Sequence, residues 1–149
     1  MSEVHVSKRF AEDPQQEAAL LAAVRGRLDE AERLLCVLAV AKIQPELDHL
    51  VVTSRRVVAG WRGHLDDADI SWPVQIPIEA VADVEVTGFM DNVKVMLANG
   101  DGIKVGNFWD AADEEPLRAA IRAAQEGEED GPGTRPTYEL YPLADPGPE

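Results

Sequence analysis

Two valine-rich apolar runs meet at a polar corner within residues 50–61, and this pattern predicts a β-hairpin. Thr53 and Ser54 stand at the corner, where their hydroxyl groups can hydrogen-bond the local backbone. Arg55 and Arg56 follow them, and we expect both guanidinium groups to remain in water. We expect the other predicted strands, which flank this hairpin in the sequence, to belong to the same sheet.

Alternation of apolar and polar residues predicts four further strands after the hairpin. An Asn-Gly pair at residues 99–100 predicts a tight turn between the last two, because such turns favour these residues at positive φ. Before the hairpin, residues 34–41 are apolar without a period. We interpret them as a strand covered on both faces, with a continued helix as the alternative. The alternating apolar positions are Trp72, Val74, Ile76 and Ile78, then Val84 and Val86, then Val93, Val95 and Leu97, and finally Ile103 and Val105.

Helical periodicity flanks the strands on both sides. Asp13 and Pro14 suit an N-cap and a first helical position, so a helix is predicted over residues 13–30. Acidic residues and Pro116 predict the first turn of a second helix after residue 109. The apolar stripe of the first helix is Leu20, Val24 and Leu28, and that of the second is Leu117, Ala120, Ile121 and Ala124.

A chain of 149 residues is expected to form one domain with a single core. Residues 1–12 are a polar lead, in which the alternation of Val4 and Val6 allows an added edge strand. Residues 13–125 form the domain. Residues 126–149 are acidic and rich in proline and glycine, a composition that predicts a tail rather than a packed unit.

Net charge limits the partners that the chain can bind. Lysine and arginine number 14 against 28 aspartate and glutamate, which gives a net charge of −14 at pH 7. Phosphate backbones repel such a chain, so nucleic acid is not an expected partner. No apolar run approaches the roughly 20 residues that span a bilayer, and the N-terminus lacks the apolar region of a signal peptide. We therefore expect a cytoplasmic protein.

No constellation of residues predicts catalysis. Ser54, His49 and Asp48 carry the groups of a hydrolase triad, but neighbours in one strand point to opposite faces, so Asp48 is not expected to orient His49. Cys36 is the only cysteine, which excludes a disulfide within the chain, and its apolar surroundings predict a core position. The acidic loop at residues 63–69 matches no calcium-binding spacing. We expect a protein that is not an enzyme and holds no metal or cofactor.

Three segments carry a resemblance to a known family. Residues 50–58 are similar to its strand-Thr-x-x-Arg-strand hairpin, residues 76–86 to its isoleucine-proline segment and following strand, and residues 95–100 to its strand ending in an Asn-Gly turn. In this order they resemble the bacterial PH-like domains, which are related in fold to GRAM and pleckstrin-homology domains. With the strand pattern, the resemblance implies an α+β, mainly β fold: a small barrel or sandwich of about seven antiparallel strands with an N-terminal helix and a C-terminal capping helix. It also implies a binding domain without catalytic residues.

Binding is therefore the expected activity. Arg55, Arg56 and Arg62 form the densest basic group and are the candidate contact for an anion or an acidic peptide. The leading interpretation is an adaptor that binds a protein partner, or a second copy of itself, through an open sheet edge or the barrel mouth. The alternative is a peripheral membrane domain that binds anionic lipid headgroups through the same arginines. Core packing, or packing around the mouth, is expected for the three tryptophans: Trp61, Trp72 and Trp109.

A second candidate surface lies in the tail. Both tyrosines of the chain, Tyr138 and Tyr141, fall there together with Leu140 and Leu143. An aromatic and leucine patch in an otherwise polar tail favours docking, either on an exposed edge of its own domain or on a partner. An inert tail is the alternative.

Overall fold

The computed structural model describes residues 4–43, 46–61, 70–88 and 90–126, and these hold eight strands and three α-helices. Two 3₁₀ turns, Ile78–Ala80 and Ala111–Asp113, lie between them. The elements in chain order are β1 (His5–Val6), α1 (Lys8–Ala11), α2 (Pro14–Arg25), β2 (Leu34–Lys42), β3 (Leu47–Thr53), β4 (Arg56–Trp61), β5 (Ser71–Pro77), β6 (Val81–Thr87), β7 (Asn92–Leu97), β8 (Gly102–Phe108) and α3 (Glu114–Glu126).

One antiparallel sheet runs through the described residues in the order β5-β4-β3-β2-β8-β7-β6. β2 belongs to both halves, since it pairs with β3 and also with β8, where Val40 lies opposite Phe108 and Ala41 opposite Asn107. In the described part, β5 and β6 are the edges and do not pair with each other, so the sheet stays open. Its two halves share one core between them, as in a sandwich. The predicted α+β, mainly β class is confirmed.

The inner core fills the space between the two halves of the sheet. Alternate residues of the strands meet there, including Leu38 of β2, Leu50 of β3 and Val95 of β7. Burial of one such side chain is worth about 1.5–3 kcal/mol, so the shared core holds the halves together. The predicted stripe of α3 closes this core, and all its members are buried: Leu117, Ala120, Ile121 and Ala124.

An outer core covers the other face of the β2–β5 half. The N-terminal segment lies on this face and buries Phe10 of α1 together with Leu20 and Val24 of α2. Val37 and Val51 of the sheet are among their partners. β2 is therefore buried on both faces, which is the arrangement predicted for its apolar run, and the alternative of a continued helix is wrong.

The N-terminal segment differs from its prediction in two respects. Asp13 caps α2 by accepting from two backbone amides, as predicted, but the helix ends at Arg25 rather than near residue 30. Gly26 follows as the C-cap and a turn continues from it, so the chain leaves the helical path there. Within the predicted polar lead, β1 pairs in parallel with β2 and α1 follows it.

The predicted alternation in β5 breaks at Trp72. Val74 and Ile76 lie in the inner core as expected, but Trp72 packs in the outer core. The pairing of β4 with β5 shifts its register between Ala59 and Trp61. A bulge of this kind turns the nearby side chain to the other face of the sheet, which accounts for the position of Trp72.

The Asn-Gly turn between β7 and β8 is confirmed, with a different geometry. Gly100 has a φ of 97°, whereas Asn99 does not adopt a positive φ. The side chain of Asn99 accepts instead from the amide of Asp101 at 2.9 Å, and the amide of Leu97 donates to the Asp101 carbonyl at 2.8 Å. The connection is thus longer than the two-residue turn that was expected.

Gly60 stands at the bulge, and a substitution there tests its importance. A Cβ at Gly60 would collide with the carbonyl oxygen of Ser71 and lie 2.5 Å from Cδ1 of Trp72. We expect Gly60→Ala to lower the free energy of unfolding by about 2–3 kcal/mol in urea titrations, because backbone must move to admit the methyl group. Gly26→Ala is the control, since its Cβ meets nothing closer than 3.4 Å, and it should leave stability within about 1 kcal/mol of wild type. Equal effects of the two substitutions would contradict this account.

Candidate functional site

Arg56 forms an ion pair inside the structure, so the expectation that it remains in water is wrong. Its Nε donates to Oε2 of Glu32 at 2.9 Å, and its Nη2 donates to Oε1 at 3.0 Å. Its Nη1 donates to Gln75, and Nη2 also donates to the carbonyl of Arg27. The Glu32 side chain is fully buried and that of Arg56 is 12% exposed. This bidentate pair ties the segment after α2 to the β3–β4 corner.

Glu32 has further partners that favour its charged form. Oγ1 of Thr53 donates to its Oε2 at 2.5 Å, and the amide of Asp29 donates to its Oε1 at 3.0 Å. Burial raises the pKa of Glu32, but the hydrogen bonds from Arg56, Thr53 and the Asp29 amide outweigh it and leave that pKa below its usual value. Thr53 also accepts from the amides of Arg55 and Arg56 at 3.0 Å each, which is the role predicted for it at the corner.

Two of the three predicted anion-binding arginines, Arg55 and Arg56, lie at the Thr53 corner. Arg56 is engaged by Glu32, and Arg55 is half-buried beside it at the corner. Arg62 lies outside the described residues. Trp61, which precedes it in the sequence, ends β4 at the end opposite the corner, roughly 17 Å away along an extended strand. An anion site formed by all three arginines stays a prediction, and this arrangement does not favour it.

A buried histidine network lies near the start of β3. His49 is fully buried, and its Nε2 accepts from Nε1 of Trp72 at 3.1 Å. Because an indole N–H can only donate, the ring proton of His49 resides on Nδ1, which donates to Asp48 at 2.8 Å. The expectation that Asp48 cannot reach its neighbour is therefore wrong. A register irregularity in the pairing of β2 with β3 spans this point, and the local twist brings the two side chains together.

The histidine network has a structural role and does not form a hydrolase triad. Both ring nitrogens of His49 are engaged. Ser54 lies beyond the other end of β3, where its Oγ accepts from the amide of Arg33 at 2.9 Å. Cys36 is buried as predicted, and burial raises the pKa of its thiol to about 12, so it is not a reactive thiolate at neutral pH. Within the described ranges, no group of three potential metal ligands comes together, and the acidic loop at residues 63–69 lies outside them.

An open cleft lies at the end of the sheet opposite the Thr53 corner. We call it the end cleft; it has a volume of about 700 Å³, which is in the range of ligand and side-chain pockets. It is formed by α1, by the β2–β3 connection and by the ends of β4 and β8. Its lining consists of residues 39–43 and 46–48 together with Arg9, Phe10, Trp61, Asn107 and Trp109.

Large apolar side chains that remain exposed gather at this end of the sheet. Among the described residues they are Ile43, 82% exposed, Met90, 59%, Trp109, 54%, and Trp61, 38%. All except Met90 line the end cleft, and Met90 borders it, since its carbonyl accepts from Nδ2 of Asn107 at 3.0 Å. Grouped apolar surface of this kind makes the end cleft a candidate binding surface.

The N-terminal segment holds one side of the end cleft in place. The Arg9 guanidinium lies 3.7 Å from the ring centroid of Trp109, a cation–π contact. Just after Trp109, buried Asp113 accepts a hydrogen bond from buried Ser7, and its other oxygen lies 3.2 Å from Nε2 of His5. The segment around β1 is thereby tied to the turn that leads into α3, and Trp109 lies between these fixed points.

The sequence predicts a binding surface at the mouth without naming the residues that form it. Ile43 follows an apolar strand, and Arg9 and Phe10 belong to an apparently polar lead, so no motif marks them. The sequence feature that points to this surface is the position of Trp61 and Trp109. Each lies at the end of a predicted strand, where a side chain need not face the core.

Outside the described residues lie the tail positions of the second candidate surface: Tyr138, Leu140, Tyr141 and Leu143. The end of α3 shows where the tail begins. Gln125 donates from Nε2 to the carbonyls of Ile78 at 3.2 Å and Val81 at 2.9 Å, and the amide of Ile78 donates to the carbonyl of Arg55 at the corner. The chain therefore leaves α3 at the corner end. None of the helices in the described part is both long and apolar enough to cross a membrane.

The ion pair provides a test of how the corner is held. We expect Arg56→Met to lower the free energy of unfolding at pH 7 by about 3–5 kcal/mol, because it leaves the Glu32 carboxylate buried without its partner. Arg55→Met at the same corner is the control and should have a much smaller effect. Urea unfolding of the three proteins measures both differences.

The stability difference between Arg56→Met and wild type should depend on pH and become smaller as the pH falls. Because the folded pKa of Glu32 lies below its ordinary value of 4.5, its contribution to stability is present above pH 4.5 and is lost as the pH falls through the folded pKa. Below that range Glu32 is protonated in both proteins, so the deficit of Arg56→Met should shrink between pH 7 and pH 3. A deficit that stays constant over this range would show that the lost stability does not come from the charge of Glu32.

Comparison with known proteins gives similarities to solved structures alone. No protein-family model matches the chain, and neither does any curated protein. A DUF1696-family protein with a pleckstrin-homology domain from Shewanella loihica is similar, with a TM-score of 0.47 and 17% identity over 70% of this chain and 94% of that one. A pleckstrin-homology domain from Shewanella amazonensis has a TM-score of 0.46 and 17% identity over 70% of this chain and 86% of that one. The C-terminal domain of an unknown protein from Leishmania infantum has a TM-score of 0.41 and 12% identity over 74% of this chain and 95% of that one.

Proposed function

We propose that this chain is a non-catalytic PH-like binding domain that recognises a protein partner through the end cleft. The observation that carries the proposal is that Ile43, Trp61 and Trp109 remain exposed around one open cleft. Among the described residues, these three and neighbouring Met90 are the large apolar side chains that stay exposed, whereas most of the others pack in or against the two cores. Exposed apolar side chains lower solubility, and their grouping around one cleft is explained most simply by a partner that covers them.

The composition of the end cleft suits the anchor of a protein partner. Tryptophan is enriched among residues that dominate binding energy, and Trp61 and Trp109 form walls of the cleft. Asn107, Glu46 and Asp48 add polar residues to its lining. An apolar side chain of the partner would enter between the tryptophans, with hydrogen bonds around it.

The charge around the end cleft favours a protein over an anionic membrane. Arg9 and Lys42 line it, but Glu46 and Asp48 line it as well. A rim of balanced charge in a chain with net charge −14 gives no attraction to an anionic surface. Mixed charge of this kind is ordinary at the edge of a protein interface.

The proposal is tested by affinity capture from an extract of the source cells, with quantitative mass spectrometry of the bound proteins. We expect Trp61→Ala combined with Trp109→Ala to reduce capture of at least one protein about tenfold or more, since each lost anchor is worth about 2 kcal/mol. The control is Arg118→Ala combined with Arg122→Ala on α3, away from the end cleft, and it should retain that protein. Purified partner and isothermal titration then give the dissociation constants.

Two outcomes would contradict the proposal. Capture of the same proteins by the wild-type chain and the tryptophan variant would show that the end cleft binds no protein. Flotation of the wild-type chain with anionic vesicles at low salt, lost in the tryptophan variant, would assign the cleft to lipid headgroups instead. Thermal unfolding checks that both variants fold, which we expect because the replaced tryptophans are exposed.

A further inference from the structure

We propose that the tail segment at residues 138–143 of the same chain occupies the end cleft and must be displaced before a partner binds. The competition with a partner rests on the proposed function, whereas the docking of the tail does not.

The tail is long enough to return to the end cleft. It starts at the corner end, where α3 finishes beside Val81. The way back is about the length of α3, whose 13 residues span about 20 Å at 1.5 Å each. Residues 127–137 can extend over about 36 Å, so they bring residue 138 to the cleft with length to spare.

The segment has the chemistry that the end cleft needs. It holds both tyrosines of the chain and two leucines within six residues: Tyr138, Leu140, Tyr141 and Leu143. Tyrosine carries an apolar ring and a polar tip, which suits a cleft with tryptophan walls and a polar rim. A proline at position 142 restricts the conformations open to the free segment, which would lower the entropy lost on docking.

The open edges of the sheet suit this tail less well. β6 is one edge, and its exposed Asp83 and Glu85 offer no apolar contact to the tyrosines and leucines of the segment. β5 is the other edge, and Pro73 and Pro77 remove backbone donors that a docking strand would need. Of these three open surfaces, the end cleft is thus the one that offers exposed apolar side chains to the tyrosines and leucines of the tail.

Fluorine NMR of the full chain labelled with 5-fluorotryptophan tests the docking. Trp61 and Trp109 report on the end cleft, and Trp72 serves as an internal control because it is buried in the outer core and hydrogen-bonded to His49. We expect a tail variant to shift the resonances of Trp61 and Trp109 and to leave that of Trp72 unchanged. The tail variant replaces four side chains: Tyr138→Ala, Leu140→Ala, Tyr141→Ala and Leu143→Ala.

A matched control changes the same tail outside the segment. Pro146→Ala combined with Pro148→Ala should leave all three resonances in place. Unchanged resonances in the tail variant would overturn the proposal, and so would equal shifts in the two variants. A shift that disappears on tenfold dilution of the wild-type chain would show that the segment comes from a second copy, which would also overturn docking within one chain.

Failure of the docking and failure of the proposed function can be told apart. If the resonances do not move but the Trp61→Ala and Trp109→Ala variant still loses its captured protein, the tail proposal fails and the binding function stands. If the resonances move and no captured protein depends on those tryptophans, the tail docks but the adaptor function fails. If both hold, the tail variant should capture more of the partner than wild type does.

Discussion

Burial of both faces of β2 is the constraint on which the rest of the structure depends. From residue 36 to residue 40 its even-numbered residues, such as Leu38, contribute to the inner core, and its odd-numbered residues, such as Val37, contribute to the outer core. The same strand hydrogen-bonds β3 on one side and β8 on the other, so it joins the two halves of the sheet. Because both faces of β2 are apolar, each face of the sheet must be covered. α3 closes the inner face, and the N-terminal segment closes the outer face.

The N-terminal segment is fixed to the sheet by polar contacts at both ends, and the two ends have different consequences. At the corner, the buried Glu32 carboxylate requires the Arg56 guanidinium beside it. Conformations of the hairpin that separate the two groups are therefore disfavoured. At the opposite end, Asp113 and the stacking of Arg9 on Trp109 position one wall of the end cleft. A segment that covers a core therefore also shapes the candidate binding surface.

Local patterns predicted most elements because their signals are short-ranged. The 50–61 hairpin, the Asp13 cap and the stripe of α3 depend on spacing within one element. The predictions are wrong where a residue distant in the sequence determines the position of a side chain. Trp72 follows a perfect alternation, yet a bulge opposite Gly60 turns it into the outer core. The local sequence predicts that Arg56 is a solvated turn residue. In the structure its guanidinium group instead donates to Glu32, which lies 24 positions away in the sequence.

The sequence by itself determined the mainly β class and the succession of elements from the 50–61 hairpin to α3, and it favoured double burial of β2 over a continued helix, since periodicity and turn chemistry are properties of neighbouring residues. Only the tertiary structure decided which tryptophans are core and which are surface. Trp72 is buried against His49, whereas Trp61 and Trp109, at the ends of two strands far apart in the chain, are left exposed around one cleft. Exposure depends on what the rest of the chain covers, and no pattern within a single strand contains that information.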